Sequence, residues 1–219
     1  MMTRFQDRVQ AGRLLAAKLK QYARQPDVLV LGLPRGGVPV AHEVARCLNV
    51  PMDIVGVRKL GVPGQPELAM GAIASDDVCV LNEDVIAEYG IDQEDIDIVT
   101  ARERVELARR ERVYRGNRAP LDVNGKTVII VDDGIATGTT MRAAVRALQR
   151  KNPAKLVVAT PVVAKEAYEE FRADPAIDAC VYLLAPAIFQ AVGLWYMHFP
   201  QTTDEEVQLA LSGNPILTK

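Results

Sequence analysis

Val128-Ile-Ile-Val-Asp-Asp-Gly-Ile-Ala-Thr-Gly-Thr-Thr140 runs four apolar residues into two carboxylates, then into a loop of glycines and threonines. A short, unbroken apolar run that stops at a turn reads as a strand buried on both faces, the type found in parallel sheets. Beyond the loop, Met141, Ala144, Val145 and Leu148 recur at helical spacing. In open parallel sheets ligands gather where strands hand over to helices. A helix start there presents unpaired N–H groups and partial positive charge, so a phosphate suits the loop Gly134 to Thr140. Thr137, Thr139 and Thr140 add hydroxyl donors.

Outward from this stretch, strand and helix patterns alternate. Val28 to Leu33 is a buried-type strand that ends at Pro34-Arg-Gly-Gly37, and the helical stretch after it carries Val40, Val44 and Leu48. Met52 to Val57 repeats the strand pattern, and a Gly/Pro-rich loop follows from Arg58 to Pro66. Further strands are expected at 70–74, 78–81, 155–160 and 180–184, with helices from Lys165 to Arg172 and from Thr203 to Leu211. Phe5, Val9, Leu15, Leu19 and Tyr22 predict an N-terminal amphipathic helix closed off by Pro26. The pattern specifies an α/β fold, a mostly parallel sheet covered by helices on both sides, in a single domain over 1–219 with its core at about 26–185.

Charge is distributed unevenly. Asn82 to Asp97 holds seven acidic residues, whereas Arg102 to Arg118 holds seven arginines against three glutamates. Ile98, Ala101, Val105 and Ala108 predict a narrow apolar stripe on a long helix packed on one side. The interleaved glutamates favour an ion-paired, solvated surface over a nucleic-acid face. With a net charge of -2 over 219 residues, no broad basic surface is available to nucleic acid or anionic lipid. Cys47, Cys79 and Cys180 lie far apart in apolar settings and are expected to be reduced core residues. The N-terminus lacks a signal-peptide core and no apolar run is long enough to span a membrane, so a cytoplasmic protein is expected. His42 and His198 have no metal-ligand spacing, and His42 is expected on a helix face.

The glycine loop does not fit the commoner phosphate motifs. No lysine follows as in a P-loop, and a dinucleotide fingerprint lacks the preceding acids. Carboxylates placed directly before a phosphate cradle lie about one sugar away from it. Asp132 and Asp133 there suit vicinal hydroxyls, or a hydrated divalent cation near them. A ribose 5-phosphate satisfies both halves.

Four hydrophobics, two acids and a short Gly/Thr loop closely resemble the phosphoribosyl-pyrophosphate motif of the type I phosphoribosyltransferases. The resemblance implies that family's fold, with a small hood and a flexible lid loop. It implies 5-phosphoribosyl 1-pyrophosphate as donor, with the 5-phosphate on Gly134, Ile135, Ala136, Thr137, Gly138, Thr139 and Thr140. Pro34, Arg35, Gly36 and Gly37 match the family's pyrophosphate turn, where a cis Pro34-Arg35 peptide is implied. The loop from Val57 to Glu67 looks like the lid, with Arg58 and Lys59 on the leaving pyrophosphate. Mg2+ is the implied cofactor, held by Asp132 and Asp133 directly or through water, and Asp132, Asp133, Arg35 and Lys59 are the implied catalytic set. A homodimer is implied as well.

The acceptor is less defined. The 6-oxopurine members carry an aspartate where this chain has Ala136, so an adenine-like pattern fits better. The hood is expected from the terminal segments and the 82–118 region, with Glu67, Phe189 and Trp195 as candidates for touching the base. The arginine-rich helix and the VGLWYMHFPQTTDEEV ending look like a group of prokaryotic phosphoribosyltransferase-like proteins of unassigned acceptor. The expected reaction moves ribose 5-phosphate onto a nitrogenous base with release of pyrophosphate. Its rival is a regulator of the same fold that binds the donor without turnover. A phosphatase would need its acids as D-x-D, and here they are adjacent.

Overall fold

The structure, a computed structural model, describes residues 4–75, 78–116, 118–119 and 121–213, without the Glu67 side chain. A five-stranded sheet forms the centre, built from β1 (Val28–Gly32), β2 (Met52–Ile54), β6 (Thr127–Val131), β7 (Lys155–Val162) and β8 (Ala179–Leu184) in the order β2-β1-β6-β7-β8. Every neighbouring pair is parallel. All residues of β1 and β6 are buried, as their unbroken apolar sequences require when helices cover both faces.

The connections fan out in opposite directions. From β1 the chain passes through α2 (Gly37–Leu48) to β2 on one side, and from β6 through α5 (Thr139–Gln149) to β7 on the other. β1 and β6 therefore flank the switch point, and the register pairs Gly32 with Val131. Both turns singled out from the sequence leave the sheet there, side by side. α5 packs on one face, where Met141, Val145 and Leu148 meet Leu31, Val128 and Ile130. α1 (Arg8–Lys18), α2 and α7 (Asp204–Ser212) supply the other, where Leu15, Val44 and Val207 meet Val30 and Ile129.

Several expectations change in three dimensions. The stretch read as a lid loop is an antiparallel hairpin, β3 (Val57–Val62) and β4 (Gln65–Ala74), extended by β5 (Val78–Leu81). Gly64, at φ 78°, makes the reversal, so its glycines and prolines mark a turn and a bulged register within a sheet. The run Met52 to Val57 divides between two sheets. Phe5 lies outside the N-terminal helix, in a parallel bridge to Tyr196, because Asp7 caps the helix by accepting from Gln10 N at 2.8 Å.

After α3 (Glu83–Tyr89) comes the long helix, α4 (Gln93–Arg115), and it buries a different face from the predicted stripe. Ile96, Val99, Glu103, Leu107 and Tyr114 point inward, while Ile98 and Val105 are 61% and 74% exposed. A glutamate in the middle of the buried face broke its apolar pattern. Glu103 is accommodated there because Arg58, on β3, reaches it at 2.5 and 2.8 Å. On the outer side Arg109 and Arg110 each meet Glu106 at 2.7 Å, so the arginines are ion-paired as expected. The cysteine expectation also fails in part: Cys47 and Cys79 are exposed and only Cys180 is half-buried, all three as free thiols. After β7 the chain continues through α6 (Lys165–Ala173) to β8 and a 3-10 turn at Val192–Trp195, and His42 lies half-buried with Nδ1 3.2 Å from Ala210 O. Among the described residues, no helix is long and apolar enough to cross a membrane.

Candidate functional site

β6 delivers Asp132 and Asp133 to the sheet edge, and Asp133 N donates to Asp132 Oδ1 at 2.9 Å. The following loop is tied to the end of β7: Ile135 N donates to Val162 O at 2.9 Å, and Ala164 N to Ile135 O at 2.8 Å. Gly134 is needed for close packing, since a Cβ there would lie 2.3 Å from Val192 Cγ1. Gly138, at φ 74°, turns the chain so that Thr139 opens α5. Ala136 and Thr137 are exposed, Thr140 is half-buried, and the Thr137 and Thr139 hydroxyls lie 3.1 Å apart. Amide and hydroxyl donors thus gather at the start of an 11-residue helix beside the acids.

The second turn meets the first. Its Pro34-Arg35 peptide is cis, as the family resemblance implied. Gly36 precedes α2, and a Cβ on Gly36 would lie 2.1 Å from Asp133 Oδ2, while one on Gly37 would lie 2.6 Å from Val131 O. Only glycines let the turn approach the acid pair this closely.

Adjacent carboxylates at so enclosed an edge oppose one another's ionisation. Burial, then the Asp133 charge, pushes Asp132 well above the usual carboxylate range. Burial raises Asp133 too, against the opposing pull of Arg8. Arg8 was missed by sequence reading. It lies 125 residues from Asp133 in the chain, yet its Nε donates to Asp133 Oδ2 at 2.8 Å. Its Nη1 donates to Pro200 O at 2.7 Å, and its guanidinium lies 3.7 Å from the centre of the Phe199 ring. Tyr196, whose hydroxyl burial pushes upward, donates to Asp133 O at 2.5 Å. Nothing in the N-terminal helical pattern signals these contacts.

The cations named from the sequence meet partners within the chain. Arg58 is paired with Glu103, because even-numbered residues of β3 face α4 together with Leu60 and Val62. Lys59 stands on the opposite face of the same strand. Arg35 lies 3.5 Å from Asp204, which also accepts from Tyr114 Oη at 2.6 Å and Arg109 Nη2 at 3.3 Å. Of the base candidates, Phe189 and Trp195 are half-buried in an apolar cluster with Phe5, Val162 and Tyr196. Trp195 Nε1 is buried without a hydrogen-bond partner among the described residues. The Glu67 side chain lies outside the described residues.

For Mg2+ the chain offers two adjacent carboxylates, and among the described residues no group of three or more His, Cys, Asp or Glu is arranged to hold a metal. One Asp133 oxygen is already engaged by Arg8. That donor set fits a hydrated ion touched through water, with Asp132 and the remaining Asp133 oxygen as contacts.

The fold and site define an α/β protein with an amide- and hydroxyl-rich loop and an acid pair at the switch point of a parallel sheet. Residues 2–181 match the phosphoribosyl transferase domain, and the chain belongs to that family. A Mycobacterium tuberculosis protein provisionally named a phosphoribosyl transferase is 46% identical over 206 residues, covering 94% of this chain and 46% of that protein. The chain therefore spans about half the length of such curated relatives. The bifunctional protein PyrR of Pelotomaculum thermopropionicum is 33% identical over 128 residues, 58% of this chain and 65% of that one. Among solved structures, the protein TT1426 of Thermus thermophilus superposes with a TM-score of 0.76 at 41% identity, over 95% of this chain and 97% of that one.

Proposed function

We propose that the protein transfers ribose 5-phosphate from 5-phosphoribosyl 1-pyrophosphate to a nitrogenous base. The observation that carries this reading is the contact between the two turns, with Asp133 Oδ2 lying against Gly36 and the hydroxyl-rich start of α5 following at once. The 5-phosphate takes the amides and threonines of 134–140, the ribose hydroxyls take Asp132 and Asp133, and pyrophosphate takes the turn at 34–37. A bond forms between a base nitrogen and the anomeric carbon as the bond from that carbon to pyrophosphate breaks, and its electron pair leaves with pyrophosphate. Positive charge grows on the ribose in such displacements, and carboxylates beside the ring stabilise it. Mg2+, held through water by Asp132 and Asp133, would supply neutralising charge to the pyrophosphate. The base remains open, although alanine at 136 favours an adenine-like acceptor over a 6-oxopurine. A cytoplasmic homodimer is part of the same reading.

A donor-binding regulator is the second reading. It draws support from Arg58 and Arg35, both expected on pyrophosphate and both facing carboxylates, Glu103 and Asp204. Pyrophosphate release measured against a panel of purine and pyrimidine bases with Mg2+ separates the two. Turnover with any base supports transfer; donor binding without turnover across the panel supports the regulator.

A further inference from the structure

We propose that Arg8 is a positioning residue for the sugar: it holds Asp133 so that one carboxylate oxygen stays committed to protein and the other is presented to a ribose hydroxyl. The inference rests on the sugar-phosphate reading of the site. A carboxylate turns readily about its last side-chain bond, so an acid that must meet a hydroxyl in one orientation needs an anchor. Arg8 provides it. Its side chain is 10% exposed and uses three modes of guanidinium contact at once: the ion pair to Oδ2 at 2.8 Å, the hydrogen bond to Pro200 O at 2.7 Å and the Phe199 ring 3.7 Å away. Oδ2 is thereby held between Arg8 and the Gly36 turn.

Both chain ends build this anchor. Phe5 N donates to Trp195 O at 2.8 Å, Met197 N to Phe5 O at 2.8 Å, and His198 N to Gln6 O at 2.9 Å. The resulting bridge lies just ahead of Arg8 and sets the start of α1 against the C-terminal segment. Phe5 packs on Tyr196, Tyr196 stacks on Phe199, and the Tyr196 hydroxyl holds the Asp133 backbone oxygen. Side chain and main chain of Asp133 are thus gripped from two sides by residues that have no place in the phosphate loop. A salt bridge that only pinned the chain ends together would affect every ligand alike. A positioning role affects only ligands that bring hydroxyls to Asp133.

Calorimetric titration of the full chain with ribose 5-phosphate and with inorganic phosphate separates the two roles, with circular dichroism and thermal unfolding as checks on folding. The wild type should bind ribose 5-phosphate more tightly than phosphate. Arg8→Ala should lose about tenfold or more of the ribose 5-phosphate affinity, as expected for losing a charge-assisted contact, and keep its phosphate affinity. Arg8→Lys preserves charge but not the fork or the stacking, and should recover part of the loss. It also serves as the test variant if Arg8→Ala does not fold. Equal loss for both ligands, or no loss for ribose 5-phosphate, overturns the positioning role while leaving the sugar-phosphate site standing. A wild type that binds the two probes equally overturns the sugar-phosphate reading itself, and this inference with it.

Discussion

Gly36 lies directly beneath the Asp133 carboxylate, so close that a Cβ would come within 2.1 Å of Oδ2. Asp133 cannot retreat, since Arg8 holds the same oxygen at 2.8 Å. Gly36→Ala should therefore displace either the turn or the acid, at a cost of about 1–3 kcal/mol for the overpacked contact. Denaturant unfolding should show that loss, and donor affinity measured by titration should fall with it.

Asp132→Asn and Asp133→Asn should each abolish donor turnover and leave the fold intact, read as pyrophosphate release alongside circular dichroism. The stability of Asp132→Asn should differ from the usual pattern for a lost charge. Burial raises Asp132 above its unfolded value of 3.8, so the folded protein binds that proton more tightly. The stability linked to it is present below that value and lost as pH rises through the folded one. Asp132→Asn removes this titration, so the loss of stability that the wild type carries as pH rises above 3.8 should be smaller in the variant, read from melting temperature against pH.

Tyr114 and Asp204 join α4 to α7 through a 2.6 Å hydrogen bond. The Tyr114 hydroxyl, then Arg109 and Arg35, hold Asp204 below 3.8 against its partial burial, so its contribution is present above that value and lost as pH falls through the depressed one. Burial, then the Asp204 hydrogen bond, pushes Tyr114 up to about 12 from 10, so its contribution is full below 10 and lost between 10 and about 12. Tyr114→Phe should cost about 1 kcal/mol near neutral pH and weaken both limbs of a melting temperature profile against pH.

Leu107 and Val105 are two residues apart on α4 but 7% and 74% exposed. Leu107→Ala should cost about 2–4 kcal/mol through the cavity it leaves, whereas Val105→Ser should stay within about 0.5 kcal/mol. Chemical denaturation of the two variants checks which face of the helix is buried. Equal costs would restore the stripe read from the sequence.

The local pattern by itself determined the parallel sheet, both turns at its edge and the acid pair before the loop. Each of these lies within a short segment, where apolar runs, glycine conformation and helix-start chemistry act on neighbouring residues. What only the tertiary structure decided depends on residues far apart in the chain. Arg58 and Lys59 looked like paired cations on a loop, but once that loop becomes a strand, the pleat sends them to opposite faces. Glu103 interrupts the buried side of α4 and is tolerated because β3 brings Arg58 to it, so apolar periodicity alone selected the wrong stripe. Arg8 reads as an ordinary helix charge until the two chain ends bridge at Phe5 and Tyr196 and carry it to Asp133. A long-range ion pair leaves no periodic trace in the sequence, because its energy comes from folding two distant segments together.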